Sequence, residues 1–280
     1  MNIGIVGLGL MGGSIALKLK NSHSIHAYDL NVDALRIALQ NGWIAKGHTD
    51  PAAFFDAVDV VYLCIYPSGI EPFVLEHQHL AKPGSVWIDI AGVKESLIEH
   101  VLPILRNDLD FVFTHPIAGR EKVGVAFAKG SIFDMANYVI TPTVSNKPAS
   151  LELAASLAGE LGFGTVTQVE AGVHDDVIAY TSQLTHVLSL ALVESGDDEV
   201  DLSRFIGDSY RDLTRIAMIN EPLWSELFLS NKSRLLAKID RFQETLSKYR
   251  EWIDSGDKAT LEAHMKIAKE RRKKIERSQP

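Results

Sequence analysis

The chain opens on a short β-branched run that passes directly into a glycine-rich turn, MNIGIVGLGLMGGS. Gly7, Gly9 and Gly12 have the G-x-G-x-x-G spacing, in which glycines permit a tight turn, close approach of a pyrophosphate and close helix–strand packing. A strand, this turn and a helix from about Leu10 form the start of a βαβ unit. The turn constrains the fold strongly, because it requires a parallel sheet whose carboxyl edge is open to a dinucleotide.

Alternating strands and helices continue this pattern through residue 170. Apolar β-branched runs are separated by amphipathic stretches, as expected for helices that cover both faces of a sheet. We therefore predict an α/β fold with a Rossmann-type, doubly wound parallel sheet. The predicted strands are 3–6, 25–28, 58–64, 86–88, 111–114, 138–140 and 164–169, the last following a helix at 151–161.

Strand signals end near residue 171, and helical patterns continue to the C-terminus. The pattern at 223–253 is too long to bury its apolar face within a small monomer, and long helical domains often pack against a second copy. We predict a dinucleotide-binding domain at 1–170, an all-helical dimerisation and substrate domain at 171–280, and a homodimer.

Composition excludes several classes of partner. A formal net charge of -8 disfavours general binding to nucleic acid or to an anionic membrane. The single cysteine, Cys64, precludes an intrachain disulfide and fits a reducing compartment. The N-terminus lacks a basic leader, and no apolar run approaches the about 20 residues that span a bilayer. We expect a cytoplasmic protein.

Asp29 identifies the expected cofactor. It ends the second predicted strand, about 20 residues after the glycine turn, where a carboxylate bonds the adenosine ribose hydroxyls. A carboxylate also repels a 2′-phosphate, so NAD is favoured over NADP, although Asp29 is also a candidate helix cap. Cys64 is more simply a small buried residue than a catalytic thiol. The expected cofactor-binding residues are Gly7, Leu8, Gly9, Leu10, Met11, Gly12, Asp29, Cys64, Ile65 and Tyr66.

His115 follows the predicted strand 111–114 in the segment THPIAGREKVGV. This position places it at the carboxyl edge of the sheet, near the nicotinamide end of a bound dinucleotide. A neutral histidine there can take a proton from a hydroxyl as hydride leaves the same carbon. A structural histidine at a strand end is the alternative. No histidine spacing in the chain predicts a metal site.

Five segments carry a family resemblance. The chain resembles prephenate and arogenate dehydrogenases, the NAD(P)-dependent enzymes of tyrosine biosynthesis, over essentially its whole length. The segments, in family order, are GLGLMGGS (7–14), DIAGVK (89–94), HPIAGREKVG (115–124), HDDVIAYTSQLTH (174–186) and YRDLTRIA (210–217), the last followed by EPLWSELFLSNK.

The resemblance implies oxidative decarboxylation of a cyclohexadienol, with the active site between an NAD-binding domain and a helical dimerisation domain. His115 matches the family's catalytic histidine, and Arg215 the arginine that binds a substrate carboxylate. His186 matches a histidine near the substrate side chain, and Glu121 an acidic residue at the mouth of the site. The structural alternatives are an interhelical ion pair for Arg215, a buried helix histidine for His186 and a solvated loop charge for Glu121. His174 with Asp175 is interpreted as a helix cap.

The chain departs from the family pattern at substrate-side positions. Gly92 and Gln183 replace a serine and a histidine, Thr185 replaces a proline, and Arg120 stands where a small hydroxyl residue is common. The substrate therefore stays open among prephenate, arogenate and a modified relative. Gly92→Ser is expected to raise turnover a few-fold by restoring one hydrogen bond. A β-hydroxyacid dehydrogenase and a non-catalytic dinucleotide-sensing protein are the alternative functions.

Overall fold

A computed structural model describes residues 1–119, 122–196 and 201–277. In these residues eight strands form one sheet in the order β3-β2-β1-β4-β5-β6-β7-β8, and neighbours from β3 to β6 run parallel. The predicted Rossmann-type fold is confirmed. The strands are β1 (Asn2–Val6), β2 (Ser24–Tyr28), β3 (Lys46–His48), β4 (Val60–Leu63), β5 (Val86–Asp89), β6 (Asp110–Ile117), β7 (Asn137–Thr141) and β8 (Thr165–Gln168).

Helices cover both faces of the sheet, because successive residues of the central strands point to opposite sides and both sets are apolar. Ile5 and Tyr62 face the first core, and Val6 and Leu63 the second. The first core is covered by α1 (Leu10–Leu19), α2 (Val32–Gln40) and α6 (Pro148–Leu161), and the second by α3 (Pro51–Ala57), α4 (Pro67–His77) and α5 (Glu95–Val101).

The sheet differs from the predicted all-parallel arrangement at its last two strands. β7 runs antiparallel to β6, and β8 is parallel to β7. In its described residues, 118–119 and 122–136, the connection from Ile117 to Asn137 contains short 3₁₀ turns and no crossover helix, and the chain returns at the same end of the sheet. The added pairing extends β6 through Ile117, and His115 lies within the strand opposite Val139.

The C-terminal part is helical, as predicted. The long pattern at 223–253 is interrupted, because Asn231 leaves helical geometry and its buried amide bonds to other elements. The helices are α7 (Ala171–Ile178), which continues through a π-helical turn (Ala179–Gln183) into α8 (Leu184–Glu194), then α9 (Asp208–Thr214), α10 (Glu221–Ser230), α11 (Lys232–Asp254) and α12 (Lys258–Arg277).

Two compact units divide the chain, Met1–Lys232 and Ser233–Pro280. In the second, α11 and α12 form a hairpin that turns at Gly256 (φ +66°), and the ring of Trp252 packs 4.2 Å from that of His264. Within the described ranges no helix has the length and apolarity needed to cross a membrane.

Candidate active site

The turn between β1 and α1 requires glycine at two positions. Gly7 has φ +90°, and a Cβ atom there would lie 2.7 Å from the carbonyl oxygen of Cys64. A Cβ atom at Gly12 would lie 2.0 Å from the carbonyl oxygen of Gly7. At Gly9, by contrast, a Cβ atom would meet none of the described residues within 4 Å, and none of their side chains caps α1. The helix N-terminus and its open approach form a cradle suited to a pyrophosphate.

Asp29 lies beside this turn at the end of β2. Its Oδ2 accepts a hydrogen bond from the backbone N–H of Leu8 at 2.6 Å, and its Oδ1 accepts one from Asn31 at 2.7 Å. Asn31, not Asp29, caps α2, since its side chain accepts from Asp33 and Ala34. The carboxylate is thereby fixed against the glycine turn, where a ribose would bind.

The segment that follows β4 joins the cofactor cradle to α10. Burial raises the pKa of the Cys64 thiol, and the charge of Asp89 adds to this, so Cys64 is unsuited to nucleophilic chemistry. The Tyr66 hydroxyl accepts a hydrogen bond from the Asn220 amide at 3.0 Å. Glu226 accepts from both the backbone N–H (3.0 Å) and the hydroxyl (2.9 Å) of Ser68, at the start of α4.

A chain of hydrogen bonds ends at His115. Nδ1 of His115 is 2.9 Å from Nε2 of His174, and Nδ1 of His174 is 2.7 Å from Oδ1 of Asp175. Asp175 also accepts from the backbone N–H groups of Lys94 and Glu95, both at 2.9 Å. Asp175 therefore joins the start of α5 to α7. The interpretation of these two residues as a cap of their own helix was wrong, because α7 already begins at Ala171. The Asp175 carboxylate instead accepts from backbone N–H groups at the start of α5.

These bonds determine which ring nitrogen of His115 is basic. Burial alone would raise the pKa of Asp175, but the hydrogen bonds from His174, Glu95 and Lys94 together outweigh burial, and the pKa is lowered. An ionised carboxylate only accepts, so Nδ1 of His174 donates to it and Nε2 carries a lone pair. Nδ1 of His115 then donates to that lone pair. Nε2 of His115 is left as a proton acceptor.

The electrostatic surroundings keep His115 neutral. Burial lowers its pKa well below the ordinary 6.5, and His174 and the Lys94 ammonium lower it further. Lys94 is fully buried in an ion pair with Asp89. Burial lowers the pKa of Lys94, and Asp89 opposes that shift. Asp89 also accepts from the backbone N–H of Thr114 at 2.9 Å, which ties the ion pair to the strand that carries His115.

Gly92 lies next to the basic nitrogen. A Cβ atom at this position would stand 3.6 Å from Nε2 of His115. Gln183, the other substrate-side departure, is buried in the π-helical turn and donates to the carbonyl oxygen of Leu227 at 2.9 Å. The hydroxyl of Thr185 bonds back to its own helix, at the carbonyl of Ser182.

His186 and Arg215 lie on neighbouring helical elements. The His186 ring packs on Trp224 with centroids 3.5 Å apart, and its Nδ1 donates to the carbonyl oxygen of Ser182 at 2.9 Å. Arg215 is exposed and begins a 3₁₀ turn, Arg215–Ala217, that packs against α8. Arg120 and Glu121 lie outside the described residues.

Sequence reasoning missed the positioning groups behind His115. His174 and Asp175 supply its hydrogen-bond chain, and Lys94 with Asp89 supplies a buried ion pair. The signals were present in the segments DIAGVK and HDDVIAY, where buried charges follow apolar runs. In the described parts of the chain, no group of histidine, cysteine and carboxylate side chains is arranged to hold a metal.

Comparison with known proteins identifies the class. The model of the prephenate dehydrogenase nucleotide-binding domain matches residues 15–166, and that of the prephenate dehydrogenase dimerization domain matches residues 170–267. The crystal structure of Aquifex aeolicus prephenate dehydrogenase in complex with hydroxyphenyl propionate and NAD+ superimposes with a TM-score of 0.89. It is 29% identical, and the match covers 98% of each chain.

Two curated relatives are similar to nearly the whole of this chain. The prephenate dehydrogenase of Bacillus subtilis (strain 168) is 29% identical over 96% of this chain and 74% of that protein. The cyclohexadienyl dehydrogenase of Zymomonas mobilis is 29% identical over 97% of this chain and 94% of that protein. Fold and site thus define a dehydrogenase with a Rossmann-type nucleotide-binding domain. The chain belongs to the prephenate dehydrogenase family.

Proposed function

We propose that this chain catalyses the NAD-dependent oxidative decarboxylation of prephenate or arogenate, which yields 4-hydroxyphenylpyruvate or tyrosine respectively. The hydrogen-bond chain from Asp175 through His174 to His115 is the observation that carries the proposal. It presents one basic nitrogen at the carboxyl edge of a sheet whose first turn forms a pyrophosphate cradle. Proton abstraction beside a bound dinucleotide is the chemistry that this arrangement supports.

His115 acts as the general base. Its Nε2 accepts the proton of the ring hydroxyl as hydride leaves the carbinol carbon, which becomes a carbonyl. The C–CO₂⁻ bond then breaks to release carbon dioxide, its electron pair passes through the ring to the carbonyl oxygen, and that oxygen takes up a proton to give the aromatic phenol. His174 and Asp175 stabilise the resulting imidazolium through the two aligned hydrogen bonds. NAD, when bound, supplies the hydride acceptor.

The glycine turn fits NAD, because Gly9 leaves the N-terminus of α1 open and Asp29 is fixed nearby. We expect NAD to bind at least about tenfold more tightly than NADP, since the Asp29 carboxylate bonds a ribose diol and repels a phosphate. Dissociation constants measured by titration check this ratio. Asp33→Asn removes an exposed carboxylate on the adjacent helix and should leave the ratio unchanged; equal affinities in the wild type would contradict the role of Asp29.

Arg215 is proposed to bind a substrate carboxylate, with His186 near the substrate side chain and Arg120 and Glu121 near the mouth of the site. Arg215→Ala should raise KM for the substrate by about 10–100-fold with a smaller change in kcat, because a charge-assisted, bidentate contact is lost. Steady-state kinetics measure KM and kcat separately. Arg211→Ala, an exposed arginine that pairs with Asp208, is the control. An unchanged KM in Arg215→Ala would assign Arg215 to an ion pair within the protein.

The proposed assembly and location are those expected from the sequence. The match of residues 170–267 to a dimerization domain supports a homodimer through the helical part, and supports a domain boundary near residue 170. Light scattering at micromolar concentration tests the dimer, and a monomeric mass would refute it.

We also propose a cytoplasmic location, because the single cysteine fits a reducing compartment. Cell fractionation tests this location, and recovery outside the cytoplasmic fraction would refute it.

One assay tests the activity. Purified protein is mixed with NAD and either prephenate or arogenate, and the formation of NADH and of the aromatic product is followed. Turnover with at least one of them is expected. NAD binding without turnover on either compound would favour a dinucleotide-sensing role or a modified substrate, and turnover on a linear β-hydroxyacid instead would overturn the proposal.

A further inference from the structure

Leu227 on α10 occupies the space beside the basic nitrogen of His115. A Cβ atom at Gly92 would lie 3.2 Å from Cδ2 and 3.5 Å from Cδ1 of Leu227, and 3.6 Å from Nε2 of His115. Ordinary contacts between carbon atoms are about 3.5–4.0 Å long, so a Cβ atom at position 92 would press on Cδ2 of Leu227, which would have to shift by a few tenths of an ångström. The leucine is 8% exposed. The side of the space at Gly92 that Leu227 forms is therefore apolar.

A buried amide network holds this leucine in place. Nε2 of Gln183 donates to the carbonyl oxygen of Leu227 at 2.9 Å, and Oε1 of Gln183 accepts from the Asn231 amide at 2.9 Å. The same Asn231 amide donates to the carbonyl oxygen of Asp175 at 2.8 Å. Gln183 and Asn231 are buried, and their hydrogen bonds tie the Leu227 backbone to α7 and to the π-helical turn that follows it. Leu227 is thereby held in register with the residues that orient His115.

The two unusual substrate-side residues converge on one leucine. Gly92 provides the room for the Leu227 side chain, and Gln183 bonds the Leu227 backbone. Gly92 does not have a positive φ, so backbone conformation does not require glycine there, and the short contact with Leu227 is the feature that disfavours a side chain.

We propose that Leu227 is a specificity-determining residue, whose isobutyl group restricts the site to cyclohexadienols unsubstituted at the ring carbons next to the reacting hydroxyl. This inference rests on the proposed function, because it assumes that the hydroxyl binds at Nε2 of His115. On this proposal, one ring carbon next to the hydroxyl faces Leu227. A substituent on that carbon meets the leucine methyl groups.

Binding of product analogues tests the restriction. In the presence of NAD, 4-hydroxyphenylpropionate is compared with its 3,5-dimethyl derivative, which directs a methyl group at Leu227 in either ring orientation. The wild type should bind the dimethyl compound at least about tenfold more weakly, and Leu227→Ala should reduce that ratio at least about fivefold. Leu229→Ala, on the same helix at a leucine that is 71% exposed, should keep the wild-type ratio. Equal ratios in the wild type and Leu227→Ala would overturn the proposal.

Stability tests the steric pairing without any ligand. Gly92→Ala should lower Tm by about 2–8 °C through crowding, and the further change Leu227→Ala should cost less in this background than in the wild type. Additive losses would overturn the pairing. The Tm measurements need no substrate. A failure to turn over prephenate or arogenate would therefore contradict the proposed function without deciding whether Gly92 and Leu227 form a steric pair.

The crowding also revises the sequence expectation for Gly92→Ser. Restored bonding alone would raise turnover, but the new Cβ atom would lie 3.2 Å from Cδ2 of Leu227, which must shift by a few tenths of an ångström. We expect kcat/KM to fall about tenfold in Gly92→Ser and to recover at least about threefold when Leu227→Ala is added. The double variant Gly92→Ala with Leu227→Ala is the matched control, since it relieves the same crowding without a hydroxyl. A kcat/KM higher in Gly92→Ser than in the wild type would contradict the steric pairing of position 92 with Leu227.

Discussion

We expect His115→Asn to lower kcat by about 10² to 10⁴, the usual contribution of a positioned general base. Asparagine keeps a hydrogen-bonding group near the position of Nδ1, so contact with His174 is retained while the basic Nε2 is lost. The cofactor cradle lies on other elements, and the dissociation constant for NAD should change by less than about twofold. Steady-state turnover and an NAD titration measure the two quantities.

A matched control and a pH profile sharpen this test. His79→Asn removes an exposed histidine from a 3₁₀ turn and should leave kcat unchanged. Since burial, His174 and Lys94 lower the pKa of His115, the wild type should keep its kcat/KM as the pH falls from neutrality to 6.5, and the acid limb should lie below 6.5. Near-normal turnover in His115→Asn would remove His115 from the mechanism.

Local spacing made the nucleotide half predictable. The requirement for glycine at Gly7 and Gly12, and the position of Asp29 at the end of a strand, follow from one turn and its neighbouring strand. The direction of β7 was not predictable in this way. It depends on whether the chain after Ile117 crosses the sheet, and the loop sequence between β6 and β7 does not decide that.

The substrate side was predictable only through resemblance, because its contacts join distant segments. His115 meets His174 across 59 residues, and Gln183 meets Asn231 across 48. Seen locally, a histidine followed by an aspartate at the start of a helical pattern is typical of a cap. Burial of both side chains against α5 gives the pair its different role.

Asp175→Asn tests whether the carboxylate acts through His174 or only supports the fold. The amide has a single acceptor oxygen, so it can still accept from one of the two N–H groups at the start of α5 and loses the other bond. Part of the structural contact is therefore retained. The negative charge that stabilises the imidazolium is lost, and a neutral amide no longer selects one tautomer of His174. We expect kcat to fall about 10²-fold or more and the acid limb of kcat/KM to move to lower pH, because protonated His115 loses its remote counter-charge. Asp176→Asn, which removes an exposed carboxylate one residue on, should shift neither quantity. A purely structural role for Asp175 would lower Tm and the amount of active enzyme while leaving the pH at which activity falls unchanged.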